Sequence, residues 1–249
     1  MKIFTYGLLM MVAGAGTLRA ETVVEQLLAG YERIQSMSCE IRRDMETSAS
    51  KVTWLSRVYF QRPDRLHVDN SAPVPRRIVA DGTNFFSHVE GDRKGFSRPV
   101  VQLDTEMLIS LRKVPGTAMD HLLRLRGLAE TNLPATAEFP VRRGYAGPKA
   151  FMVLSLDASN RLGRVEYFTA ADQSRKTVQY DYSAFREAVP GVWISCLHKG
   201  VVTLGSVESR ETTRVNNLAV NQVIPPKLFD AGLFFKEVEF VATFDEIYR

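Results

Sequence analysis

The 249-residue chain has only two cysteines, Cys39 and Cys196, and four histidines, His67, His88, His121 and His198. No His-Glu-x-x-His and no paired-cysteine spacing occurs, so no metal site is legible. His67 and His88 can meet across neighbouring strands, a placement more often structural than metal-binding. A Gly-x-Ser-x-Gly elbow and a phosphate-binding glycine loop are also missing, and nothing assigns a nucleophile. The chain is therefore read as a non-enzyme without a cofactor. Asp64 and Asp69, among Arg62 and Arg65, read as ordinary cross-strand ion pairs. There is no Gly/Ser linker, low-complexity stretch or internal repeat, which points to one domain over 21–249, long enough for a sizeable core. The 32 Lys and Arg are interspersed with 28 Asp and Glu rather than gathered in a stripe, which argues against nucleic acid.

Long apolar runs are also scarce, apart from one at the start. Lys2 precedes Ile3-Phe-Thr-Tyr-Gly-Leu-Leu-Met-Met-Val-Ala-Gly-Ala-Gly-Thr-Leu18, followed by Leu18-Arg-Ala20 before Glu21. This is the pattern of a secretory signal peptide over 1–20. The run is shorter than the roughly 20 residues a bilayer requires, which argues against an uncleaved anchor. The first cysteine is Cys39, well past the cleavage position, so no lipid-anchored lipoprotein is expected. Cleavage removes Lys2 and Arg19 and no acid, so the formal charge falls from +4 to +2. The product is expected to be soluble. In an oxidising compartment Cys39 and Cys196 either form a disulfide, which contributes up to about 5 kcal/mol by closing so long a loop, or remain two buried, unpaired thiols.

What is plentiful is strand signal. Val58-Tyr-Phe-Gln-Arg-Pro-Asp-Arg-Leu-His-Val68 reads as strand, proline break and strand, and Arg77-Ile-Val-Ala-Asp-Gly-Thr-Asn-Phe-Phe86 as strand, Asp-Gly turn and aromatic strand. Val52, Trp54, Ser56, Val58 and Phe60 share one face at period two. Further strands are expected near 38–47, 64–70, 76–81, 84–89, 150–157, 163–170, 175–184, 192–199, 207–220 and 234–244, about 11 in all. Thr22-Val-Val-Glu25 is a capping box that opens a helix carrying Val24, Leu27, Leu28, Tyr31 and Ile34. Two short helices are expected within 104–127, broken at Val114-Pro-Gly116. The fold class is α+β, mainly β: an unclosed antiparallel half-barrel whose concave face is covered by short helices.

The order of helix, strands, Phe60-Gln-Arg-Pro-Asp-Arg-Leu-His-Val68, Ile78-Val-Ala-Asp-Gly-Thr-Asn-Phe-Phe86, short helices and strands ending in Ile224-Pro-Pro-Lys-Leu-Phe229 resembles the LolA-type periplasmic lipoprotein carriers. The resemblance implies a monomeric periplasmic carrier and chaperone that takes acyl chains of lipoproteins, or lipids, into an apolar cavity. It also implies an inner-membrane donor and an outer-membrane acceptor. Arg62 matches the family arginine that bonds the lid and holds the empty cavity closed; the other reading is a surface ion pair. Asp81 and Gly82 match a family hairpin turn. Phe85 and Phe86 match an aromatic position, and only one of them can face inward. Expected wall residues are Trp54, Val58, Phe60, Leu66, Val68, Phe85 and Tyr180. Expected lid residues are Met107, Leu108, Met119, Leu122 and Leu123. The 14 Phe and 8 Met supply apolar, adaptable surface, although most are needed for the core. Residues 189–196 and 201–220 extend beyond the compact carriers. They leave open a second reading, an envelope sensor that binds lipoprotein or lipid through the same fold.

Overall fold

A computed structural model describes residues 21–148, 150–169 and 175–247, and the segment read as a signal peptide lies outside them. Helix α1 (Val23–Glu32) starts at Thr22, whose hydroxyl accepts from the Glu25 amide while the Glu25 carboxylate accepts from the Thr22 amide. Six strands follow: β1 (Ser36–Thr47), β2 (Lys51–Gln61), β3 (Arg65–Ala72), β4 (Arg76–Asp81), β5 (Asn84–Val89) and β6 (Lys94–Pro99). Helices α2 (Thr105–Arg112) and α3 (Met119–Leu125) interrupt the meander. It resumes as β7 (Glu130–Asn132), β8 (Val141–Ala146), β9 (Ala150–Leu156), β10 (Leu162–Thr169), β11 (Lys176–Val189), β12 (Val192–Leu204) and β13 (Val207–Val220). The described chain ends with α4 (Ala231–Phe234), β14 (Glu239–Val241) and a 3-10 turn at Phe244–Glu246.

All 14 strands form one sheet in the order β14-β6-β5-β4-β3-β2-β1-β13-β12-β11-β10-β9-β8-β7. Every pairing is antiparallel except the parallel contact of β14 with β6. Pairing of β13 with β1 welds the two meanders at the centre, while β14 and β7 are left as unjoined edges. The unclosed half-barrel is therefore present with three more strands than expected. Strands β6, β7 and β8 carry little alternation: β7 has three residues, and Arg142, Arg143 and Gly144 break the apolar pattern of β8. Of the strand expected over 234–244 only Glu239–Val241 forms, as β14, while Phe234 ends α4, the helical turn that the Asp230 carboxylate starts by capping the Gly232 amide.

Register shifts between β1 and β13, β2 and β3, β9 and β10, β10 and β11, and β11 and β12 bend the sheet. An extra residue on one strand raises local twist and coiling, so these shifts curl an otherwise open surface into a trough. Helices α1, α2 and α3 cover the concave side. The main core lies between them and the sheet and includes Leu28, Ile34, Met37, Phe60, Leu111, Leu122 and Leu154. Full burial of each such side chain contributes roughly 1.5–3 kcal/mol, so the roof and trough are fastened mainly by apolar contact. A smaller cluster on the other face joins Val79, Phe86, Phe234, Phe235 and Phe240, where the C-terminal segment crosses β3–β6. The Asp81-Gly82 turn forms as expected: Gly82 has φ +102°, and the Asp81 carboxylate accepts from the Thr83 and Asn84 amides.

Candidate functional site

Between the trough and the loop that joins α2 to α3 lies a cavity of about 380 Å³. This is at the lower end of the roughly 300–1,000 Å³ usual for small-ligand pockets. One wall, from β1, β2 and β3, is apolar: Ile41, Val58, Leu66 and Val68. The opposite wall, from β11, β12 and β13, presents Tyr180, Tyr182, His198, Glu211 and Thr213, with Arg43 of β1 beside it. The roof supplies Ser110, Lys113, Pro115, Gly116, Thr117, Asp120 and His121.

Each strand explains its part through period-two alternation. On β1 the inner series Met37, Cys39 and Ile41 continues into Arg43, which pairs with Glu211 at 3.2 Å. On β13 Val215 is followed inward by Thr213, whose hydroxyl donates to Glu211 over 2.9 Å. On β12 Ile194 gives way to His198, whose ring stands 4.9 Å from that of Tyr182. Gly200 makes room for Tyr180, since a Cβ there would stand 2.6 Å from the Tyr180 ring. All three inner rows therefore turn polar at the same level, and the hollow is apolar on one side only. The cavity expected to be apolar throughout is thus corrected to a two-sided one.

The named wall residues divide accordingly. Val58, Leu66, Val68 and Tyr180 line the cavity. Phe60 is fully enclosed in the core, and Phe85 packs edge-on against Phe96, also in the core. Phe86 faces the opposite cluster, so of the aromatic pair Phe85 is the inward one. Trp54 keeps the inner-face parity of β2 but is half-buried and outside the lining. None of the five expected lid residues borders the cavity: Met119 and Leu122 are buried in the core, and Met107, Leu108 and Leu123 pack at its margin. The reason is helical phase. Met119, Leu122 and Leu125 hold α3 to the core, which leaves Asp120 and His121 for the cavity.

Arg62 donates through Nε to the Ile34 carbonyl at 3.0 Å and through Nη2 to the Tyr31 carbonyl at 3.3 Å. It therefore secures the C-terminal end of α1 rather than α2 or α3. Arg62→Leu is expected to lower the unfolding free energy by about 1–3 kcal/mol, the range for losing hydrogen bonds to a charged donor, as read by urea denaturation. A change below a few tenths of a kcal/mol would show that these bonds do not hold α1. The residue that does tie α2 to the sheet is Asp64, which pairs with Arg112 at 2.6 Å and 3.2 Å in a two-pronged contact. Asp69 makes the expected cross-strand pair with Arg77, at 3.2 Å.

The two cysteines are unbridged in the structure, Cys39 buried and Cys196 half-buried. Strand β13 lies between β1 and β12, which separates the two by about 9–10 Å laterally. A bridge needs Cα atoms within about 7 Å. Burial pushes the Cys39 thiol up to about 12, so it stays protonated and inert. Residues 189–220, read as an extension, form β12 and β13 at the centre of the sheet and carry His198, Glu211 and Thr213.

Three histidines are held below the ordinary imidazole value, His67, His121 and His198, with burial the leading cause in each. Beside His67 the Arg77 charge acts in the same direction, while Asp69 and a backbone hydrogen bond with Leu228 act against it. A folded-state value below the unfolded one means that the unfolded chain takes up the proton first. The stability contributed by keeping these histidines neutral is therefore fully present above about pH 6.5 and is lost as pH falls below that value. The melting temperature is expected to fall between pH 7.5 and 5.5, and less steeply in His67→Phe. A flat profile in the parent protein would contradict the burial argument. His121 bonds Tyr167 through Nδ1, and His198 Nε2 meets the Ser195 carbonyl at 2.9 Å. Among the described residues no group of three or more His, Cys, Asp or Glu is placed to hold a metal ion.

No family model and no curated protein matches the chain. Solved structures do. A LolA superfamily protein of Nitrosomonas europaea is 14% identical over 83% of this chain and 97% of its own, with a TM-score of 0.52. A domain from Vibrio parahaemolyticus named for outer membrane lipoprotein sorting is 8% identical over 85% and 96%, with a TM-score of 0.57. A DUF1329 family protein of Desulfovibrio piger is 12% identical over 83% and 98%, with a TM-score of 0.51. At these identities the likeness is one of fold: the open, helix-roofed antiparallel sheet is LolA-like.

Proposed function

We propose that the protein is a periplasmic carrier that takes an acyl chain of a lipoprotein or lipid under its helical roof, ferries it and releases it towards the outer membrane. The observation that carries this reading is the cleft of about 380 Å³ between trough and roof in a LolA-like fold. The apolar wall of Ile41, Val58, Leu66 and Val68 supplies the attraction, since each methylene withdrawn from water contributes roughly 0.8 kcal/mol. The cavity holds about a dozen water-sized groups, enough for one modest chain with the roof down. A larger anchor requires the α2–α3 segment to lift. No chemical step is part of this reading, which calls instead for a membrane donor and an acceptor. Among the described residues no helix is long and apolar enough to cross a membrane.

Native mass spectrometry of protein purified from its own envelope is expected to reveal a bound acyl species. Val68→Trp, which fills the apolar wall, is expected to weaken binding of a fluorescent fatty-acyl probe at least tenfold. Absence of any acyl species, together with probe binding that ignores Val68→Trp, would remove the carrier reading.

A further inference from the structure

The polar wall has a composition that an acyl chain does not need. Its four charged side chains form two opposed pairs, Arg43 with Glu211 at 3.2 Å and Lys113 with Asp120 at 3.8 Å. Formal charge in the cavity is therefore balanced on the sheet side and on the roof side separately. Burial disfavours the charged forms of His121, His198, Tyr180 and Tyr182, so these four bring no charge at neutral pH, and the two histidines are already bonded within the protein, His121 Nδ1 to Tyr167 and His198 Nε2 to the Ser195 carbonyl.

We propose that this half of the cavity seats the head of an amphiphile and that the head is uncharged and hydroxyl-bearing. The proposal rests on the carrier reading and names the ligand class it serves. An anionic head gains no net attraction, because each cation it approaches already has a carboxylate beside it, and a cationic head meets the mirror-image problem. Either ion would also lose its hydration on entering. A hydroxyl both donates and accepts, which suits a wall that offers both: carboxylates that only accept, Lys113 and Arg43 that only donate, the Thr213 oxygen, whose proton goes to Glu211, and the Tyr180 and Tyr182 hydroxyls that do either. Glu211 is ion-paired with Arg43 and accepts from the Thr213 hydroxyl, both through Oε1, which leaves part of the roughly four-site capacity of a carboxylate for a ligand hydroxyl. The Tyr180, Tyr182, His121 and His198 rings add flat apolar faces to the same wall; the His121 ring lies 5.1 Å from that of Tyr180. Across the cavity the apolar wall receives the chain, so one ligand orientation satisfies both sides.

The test uses four ligands of equal chain length below their micellar concentrations, titrated calorimetrically at neutral pH. They are monodecanoylglycerol, decanoate, decyltrimethylammonium and decylphosphocholine. Monodecanoylglycerol is expected to bind at least tenfold more tightly than each of the others. In Tyr180→Phe/Thr213→Val that advantage is expected to shrink below threefold, with decanoate affinity unchanged and the melting temperature confirming the fold. Equal affinity for all four would overturn the head assignment and leave the carrier reading standing, as would preference for any charged or zwitterionic head. If none binds, the carrier reading falls with it. The ligand series on the parent protein decides the matter even if the double variant does not fold.

Discussion

Glu130→Ala is expected to lower the unfolding free energy by about 2–4 kcal/mol, a large effect for a residue that is neither apolar nor in the cavity. Three groups depend on this carboxylate. It accepts from the Val23 amide, at the first turn of α1, over 3.0 Å, from the Tyr145 hydroxyl over 2.6 Å and from Arg143 Nε over 3.0 Å. Tyr145 is almost wholly buried, so its hydroxyl loses a partner that water cannot replace. Arg143 loses its counter-charge, and α1 loses a negative group at the positive end of its dipole. Glu130→Gln keeps an acceptor oxygen and is expected to lose roughly half as much, since a neutral acceptor is weaker than a charged one. Urea denaturation gives the energies, and hydrogen exchange at Val23 and its neighbours reports the loosening of α1. A loss under about 0.5 kcal/mol for Glu130→Ala would mean that the network is incidental.

How much of this was legible in the sequence follows from the range over which each signal acts. The capping box at Thr22 and Glu25, the Asp81-Gly82 turn and the alternation of β2, β4, β5 and β13 are local, and all appear where expected. The half-barrel was legible from the meander of strands, from the short helices after β6 that can cover one face, and from the resemblance of this order to the LolA-type carriers. The cavity was legible by half. Val58, Leu66, Val68 and Tyr180 lie on strands whose inner face can be read from parity. The polar side is not legible locally, because Arg43, His198, Glu211 and Thr213 belong to strands far apart in sequence whose levels coincide only through register. A signal existed: three inner rows each change from apolar to polar part-way along. The lid residues were misplaced because hydrophobicity picks out the face of a helix that enters the core. A roof over a ligand uses the adjoining face, here Asp120 and His121.

Gly116 is where the roof touches the sheet, and Gly116→Ala is expected to cost about 2–5 kcal/mol if the loop stays down. Two terms contribute. Gly116 sits at φ +71°, where a residue bearing a side chain is strained by about 1–2 kcal/mol. A Cβ at this position would also stand 2.8 Å from Val215 Cγ2 on β13, an overlap worth about 1–3 kcal/mol in a packed interior. The preceding Pro115 restricts Lys113-Val114 from continuing α2, so the loop has little freedom to absorb the added atom. It has one escape, which is to rise off Val215 while the Asp64–Arg112 pair holds its N-terminal end. In that event the measured loss is smaller and the cavity opens, with faster uptake of a fluorescent fatty-acyl probe. Val215→Ala separates the terms. Combined with Gly116→Ala it is expected to restore the steric part and probe kinetics close to those of the parent, while the backbone strain remains. Strict additivity of the two substitutions in both stability and uptake would show that the roof does not close on this contact, because residues that touch do not behave independently.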